Sequence, residues 1–136
     1  MNIKDLDTPA LLIDKNQVID NISFMQKYAD KYKVNLRPHT KTHKMPYLAK
    51  MQLEAGAKGI TVAKVGEAEV MAENGMDNIF IANEIVGDIK LNRIKALNRN
   101  IDISFGIDCI PHVKDIERVF EGQDKKAQVL IEIEIG

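Results

Sequence analysis

Short runs of β-branched and apolar residues recur along this chain at a spacing that leaves room for one helix between each pair. Such runs cover residues 34–38, 59–63, 78–82, 101–106 and 128–135, so their starts are separated by 25, 19, 23 and 27 residues. The intervening stretches, near 46–55, 66–74, 87–98 and 111–120, carry apolar residues at helical spacing: Met45, Ala49 and Leu53 in one, Ile89, Ile94 and Leu97 in another. Pro46 and Pro111 stand where helices open, and Gly56 and Gly75 where they stop. Alternating strand and helix of this length predicts an α/β fold with a parallel sheet. A further strand and helix, residues 8–14 and 18–28, stand ahead of the repeat.

Two architectures satisfy that pattern. One is an open five-stranded sheet of the flavodoxin-like kind, for which the length of 136 residues is sufficient. The other is a partial (β/α)8 TIM barrel, truncated after about five strands, since a closed barrel takes about 250 residues. The final run, Val129-Leu130-Ile131-Glu132-Ile133-Glu134-Ile135-Gly136, is a strand pattern with no helix after it, which favours an interrupted barrel because parallel sheets bury both faces. Spacing alone leaves both open.

Composition narrows the partners. Lys+Arg 19 against Asp+Glu 20 gives a net charge of −1, so no nucleic acid or anionic membrane is expected as partner. No apolar run approaches the roughly 20 residues of a membrane span, and Met1-Asn2-Ile3-Lys4-Asp5 lacks a signal-peptide layout. The single cysteine, Cys109, cannot form an internal disulfide, and a cytoplasmic location is expected.

The chemistry concentrates in Arg37-Pro38-His39-Thr40-Lys41-Thr42-His43-Lys44, directly after the run at 34–38. Parallel α/β folds build their sites at the C-terminal ends of strands. Five potentially cationic side chains in eight residues repel one another, and partial burial of the loop would add desolvation; both favour a neutral amine on one lysine. An ordinary lysine, with a pKa of about 10.4, is neutral in only roughly one molecule in 2500 at pH 7, so such tuning serves Schiff-base chemistry. The same loop would attract an anionic, phosphorylated cofactor. A basic loop is also commonly just solvated surface. His39 and His43 would suit zinc if helical, but Pro38 and the strand exit oppose a helix, and no carboxylate or cysteine nearby completes a ligand set. Lys64 and Glu67, at the next strand end, read as an ion pair, and Asn83 and Glu84 as helix caps or site residues.

That basic string, preceded by Asp7-Thr8-Pro9-Ala10-Leu11-Leu12-Ile13-Asp14 and Asn21-Ile22, resembles the D-threonine aldolase and D-serine dehydratase family. The resemblance continues in order through Gly59-Ile60, Ala63-Lys64-Val65-Gly66-Glu67-Ala68-Glu69, Ile81-Ala82-Asn83-Glu84-Ile85-Val86-Gly87, Asp108 and the closing Ile131-Glu132-Ile133-Glu134-Ile135-Gly136. It implies a pyridoxal-phosphate enzyme with the fold of the alanine racemase N-terminal domain, a (β/α)8 barrel paired with a mostly β C-terminal domain. Residues 1–30 would then pack with that absent β domain, and 31–136 would form the first half of the barrel.

Lys41 takes the position of the lysine that holds pyridoxal 5'-phosphate as a Schiff base, with Arg37 and His39 expected to line the same pocket. The implied substrate is a D-amino acid, and the implied reaction either retro-aldol cleavage or dehydration, with Lys41 serving as acid or base. A homodimer is implied for the full-length protein. So is a divalent metal whose ligands lie near the C-terminus; none is assigned in this chain. The competing readings are an amino-acid racemase of the same fold, a non-catalytic pyridoxal-phosphate-binding protein, and a stand-alone α/β module. No G-x-G-x-x-G or Walker string supports the last.

Overall fold

The computed structural model describes residues 2–135; Met1 and Gly136, the last residue of the closing motif, lie outside them. Five helices and four strands alternate: α1 (Lys15–Lys31), α2 (Pro46–Glu54), β1 (Ile60–Val62), α3 (Val65–Glu73), β2 (Asn78–Glu84), α4 (Asp88–Asn98), β3 (Asp102–Ile107), α5 (Ile110–Phe120) and β4 (Gln128–Ile131). Local chemistry sets the boundaries. Asp14 caps α1 by accepting the N–H of Gln17 at 3.0 Å. Pro46 and Pro111 stand in the first turns of α2 and α5, where a missing N–H costs nothing. Gly75 follows α3 at φ +88, a backbone state that side chains resist.

All strand pairs are parallel, and the sheet order is β1-β2-β3-β4, the order of the chain. This separates the two architectures. A flavodoxin-like sheet reverses direction, in the order 2-1-3-4-5. Parallel crossovers are right-handed, so a sheet that never reverses lays its helices on one face and curls as a barrel segment. Alternation along the strands agrees. Ile60, Val62, Ile79, Ile81, Ile103 and Phe105 are buried and form one core with Ala68, Met71, Leu91, Ile94, Ile116 and Val119 of the helices. The other face carries the register row Thr61, Phe80, Ser104 and Gln128, which is more polar. β4 is exposed at every residue.

Three expectations need correction. Residues 34–38 do not form a regular strand. They run extended beside β1, held by a single parallel bridge between His39 and Thr61 and by Lys58 N–H to Leu36 O and Thr61 N–H to Pro38 O, both 2.8 Å. Pro38 has no N–H to give to a ladder. Residues 8–14 form no strand either: Leu11, Leu12 and Ile13 are exposed, and no ladder among the described residues accepts them. Finally, α4 buries Leu91, Ile94 and Asn98, at i, i+3 and i+7, and leaves Ile89 80% exposed.

Candidate active site

The basic loop leaves the sheet at the end where the strands finish. Beyond the His39–Thr61 bridge the chain makes a single 3-10 turn, Thr40–Thr42. Three contacts fasten it. The Thr40 hydroxyl, fully inside, donates to Thr61 O at 3.1 Å. The His39 ring accepts the Lys41 N–H at Nδ1, 3.2 Å away. The Thr40 carbonyl accepts from both His43 N (3.2 Å) and Lys44 N (2.8 Å). Lys44 is left at φ +52, a left-handed conformation that non-glycine residues seldom adopt. His43 accepts the Met45 N–H at Nδ1, 3.0 Å away. Lys41 is thus an exposed amine on a fixed turn. Its side chain is exposed, so the partial burial expected of this loop holds for His39, Thr40 and His43 and not for the lysine.

Burial, and next the charge of Lys41, hold His39 below the ordinary imidazole value; Glu67 and the Thr61 backbone oppose this. His43 is lowered mainly by burial, against hydrogen bonds with Gln52 and the Met45 backbone. A His with a lowered folded value binds fewer protons than the unfolded chain as pH falls past about 6.5. Folding stability should therefore drop on acidification through that region and level off above it. Urea melts between pH 5 and 8 check this, and His43→Gln is expected to flatten the slope.

Glu67 fastens the second strand end. It accepts the Ala63 N–H at 2.9 Å and lies 3.3 Å from Lys44 Nζ. Burial alone would raise its carboxyl, but the Ala63 N–H, Lys44 and Lys64 together bring it below the usual value. The ion pair read from sequence as Lys64–Glu67 is therefore Lys44–Glu67. Neither Asn83 nor Glu84 caps a helix: Asn83 donates to Ala63 O at 3.3 Å, and α4, which follows Gly87, has no side-chain cap.

Arg37 is not brought to this rim. Its guanidinium donates to Asn78 Oδ1 at 2.5 Å and to Asn78 O at 3.4 Å, packing across Gly59. Asn78 opens β2 and Glu84 ends it, roughly 20 Å apart at about 3.3 Å per residue. Arg37 thus ties the loop's origin to the strand starts. A Cβ on Gly59 would stand 2.6 Å from both the carbonyl and the side-chain oxygen of Asn78. Gly59→Ala is expected to cost about 1–3 kcal/mol, as overpacking does, read as a lowered urea midpoint.

A second group stands on the rim; sequence reasoning named Glu84 as a cap or site residue, and Asp108 and Glu132 in the resemblance, without bringing them together. Glu84 hydrogen-bonds Glu132, and Glu134 and Asp108 add their charge; these contacts raise the Glu132 carboxyl above its ordinary value. Asp108, Cys109 and His112 also gather at the start of α5. The mouth therefore has a cationic side, at residues 39–44 and Lys64, and an acidic side, at the ends of β2, β3 and β4.

Residues 13–136 match the family described as alanine racemase, N-terminal domain. The chain belongs to that family. It is 37% identical over 131 residues to the D-threonine aldolase of Arthrobacter sp, covering 96% of this chain and 35% of that protein. It is 34% identical over 129 residues to the D-threo-3-hydroxyaspartate dehydratase of Delftia sp. strain HT23, covering 95% and 34%. The crystal structure of D-threonine aldolase from Filomicrobium marinum superimposes with a TM-score of 0.95 at 37% identity, covering 98% of this chain and 36% of that one. The chain thus spans about a third of the length of these relatives. Among the described residues no helix is long and apolar enough to cross a membrane.

Proposed function

We propose that this chain provides the cofactor-anchoring part of a pyridoxal-phosphate-dependent lyase acting on D-amino acids that bear a β-hydroxyl. The observation that carries the reading is the placement of Lys41: an exposed amine on a turn clamped by Thr40 and His39, at the strand-exit mouth of a barrel segment. The relatives named above act on D-threonine and D-threo-3-hydroxyaspartate by their names, and a further relative, from Dictyostelium discoideum, is a D-serine dehydratase, 30% identical over 99% of this chain. All three substrates are D-amino acids with a hydroxyl on Cβ.

The residues fit the cofactor. Lys41 would be accessible to its aldehyde, and Lys44 and Lys64, which line a hollow with Thr40, would add positive charge for a phosphorylated anion. When bound, the cofactor supplies an electron sink for cleavage at Cα. The chain's own contribution is to hold it and to move protons. A free Lys41 amine would be able to take or return a proton near Cα or the β-hydroxyl of a substrate held there. His39, held below the ordinary imidazole value by burial and by Lys41, fixes the backbone N–H of Lys41 and so the root of its side chain. Thr40 and Glu67 hold the turn against β1 and α3.

In barrels of this type the phosphate is gripped by loops of later strands. The 136-residue chain is therefore expected to bind pyridoxal phosphate and to turn over slowly at most, since much of the rate comes from positioning. Incubation with pyridoxal phosphate and D-threonine, followed by glycine assay, tests both halves. An imine absorbance band in the chain that is missing from Lys41→Ala supports the reading, and a band that persists in the variant removes Lys41 from its role.

A further inference from the structure

We infer that Asp108, Cys109 and His112 form a binding site for a divalent cation with affinity for thiolate and imidazole, of the Zn2+ class. The inference is independent of the function proposed above. β3 ends at Ile107 and α5 begins at Ile110, so these three residues are a strand exit, the residue before the helix, and the helix's first turn. One ligand atom from each side chain, a carboxylate oxygen, the thiol sulfur and an imidazole nitrogen, all lie within 4.8 Å of one another. A tetrahedral zinc ion with bonds of about 2.0–2.3 Å needs ligand atoms roughly 3.3–3.8 Å apart. The present separations, up to 4.8 Å, would have to close to that spacing on binding.

Three details favour a shared cation over a self-contained cluster. His112 Nδ1 is 3.1 Å from Asp108 Oδ1, yet it is shut off from solvent and has no aligned hydrogen-bond partner. That contact is within ion-pair range, and a cation bound between the two groups would take its place. Cys109 precedes the helix, but its side chain accepts no cap hydrogen bond, and it is exposed, so its sulfur is uncommitted. The site also lies on the acidic side of the mouth, where Glu84, Glu132 and Glu134 join Asp108 in attracting a cation. Sulfur, nitrogen and oxygen donors together select a borderline-soft ion over Mg2+ or Ca2+, which take oxygen alone. Binding converts the Cys109 thiol to thiolate and releases its proton to solvent. Three protein ligands leave the fourth tetrahedral position to water or another ligand.

Cys109 is the one cysteine of the chain, so a sulfur-to-metal signal has a single origin. Titrating the 136-residue chain with CoCl2 is expected to give a thiolate-to-cobalt absorbance band that saturates at one equivalent and is displaced by ZnCl2. Cys109→Ser should lose the band, His112→Gln should weaken binding at least tenfold, and the double variant His39→Gln/His43→Gln should bind as the unaltered chain does. In the unaltered chain, ZnCl2 should slow alkylation of Cys109 by iodoacetamide at least tenfold under native conditions and not in denaturing urea. No band, a His112→Gln variant that binds normally, or protection that persists in urea would each overturn the inference.

Discussion

Phe105→Ala is expected to destabilise the chain by about 3–5 kcal/mol, the usual cost of emptying a buried phenylalanine site. Phe105 lies in the middle of β3, fully buried, with Ile81 and Val129 as its neighbours in register. It packs into the single core shared by the sheet and the helices. Whole domains are stable by only about 5–15 kcal/mol, and here β4, beside it, is exposed throughout. The loss should therefore show as a large fall in the urea midpoint or as an unfolded chain at room temperature. Ile89→Ala, at an 80% exposed position of α4, provides the contrast. It should change stability by no more than about 0.5 kcal/mol. Equal effects at the two positions would mean that the buried face of the sheet has been assigned to the wrong side.

Lys41→Ala is expected to have the largest effect on chemistry. Loss of a positioned acid or base alone slows a reaction by about 10²–10⁴-fold, and Lys41 would in addition be the covalent anchor of the cofactor. The variant should leave folding nearly unchanged, because the side chain is exposed and the turn is held by Thr40 and His39 rather than by Lys41's amine. Activity of the segment joined to the remaining barrel strands of a relative, with urea stability measured beside it, separates the two effects. Lys41→Arg keeps the charge without a nucleophilic amine and should be as inactive as Lys41→Ala. A Lys41→Arg variant that still turns over substrate would show that the residue acts only through its charge.

The repeat was legible because each βα unit writes its period into the sequence. Four of the five repeat strands form the sheet, and the four helices between them lie within a few residues of their predicted positions. Chain-order pairing was not readable from spacing, since an open sheet has the same period. The run at 34–38 lost its ladder to Pro38, a cue that was present in the sequence. Residues 8–14 read as a strand because their apolar pattern is real, but a strand needs a partner and none is present among the described residues.

Within the site, the basic string located Lys41 and His39 together at the rim. It could not show that Arg37 turns sideways across Gly59 to Asn78, because adjacency in sequence does not fix where a long side chain goes. The acidic side was named residue by residue but not read as a cluster, although it follows the repeat: Glu84, Asp108 and Glu132 are 24 residues apart, one per βα unit, so successive strand ends stack them side by side. Asp108-Cys109-x-x-His112 was likewise hidden, because each residue is unremarkable alone. Only the turn from β3 into α5 brings them within reach of one ion.

Borohydride reduction of the chain after incubation with pyridoxal phosphate, followed by peptide mapping, tests the anchoring role most directly. Reduction fixes the cofactor permanently to whichever amine holds it. The label should fall on Lys41 at close to one equivalent, with Lys44 and Lys64 nearly unlabelled. Label distributed among surface lysines, or concentrated on Lys44 or Lys64, would contradict the account.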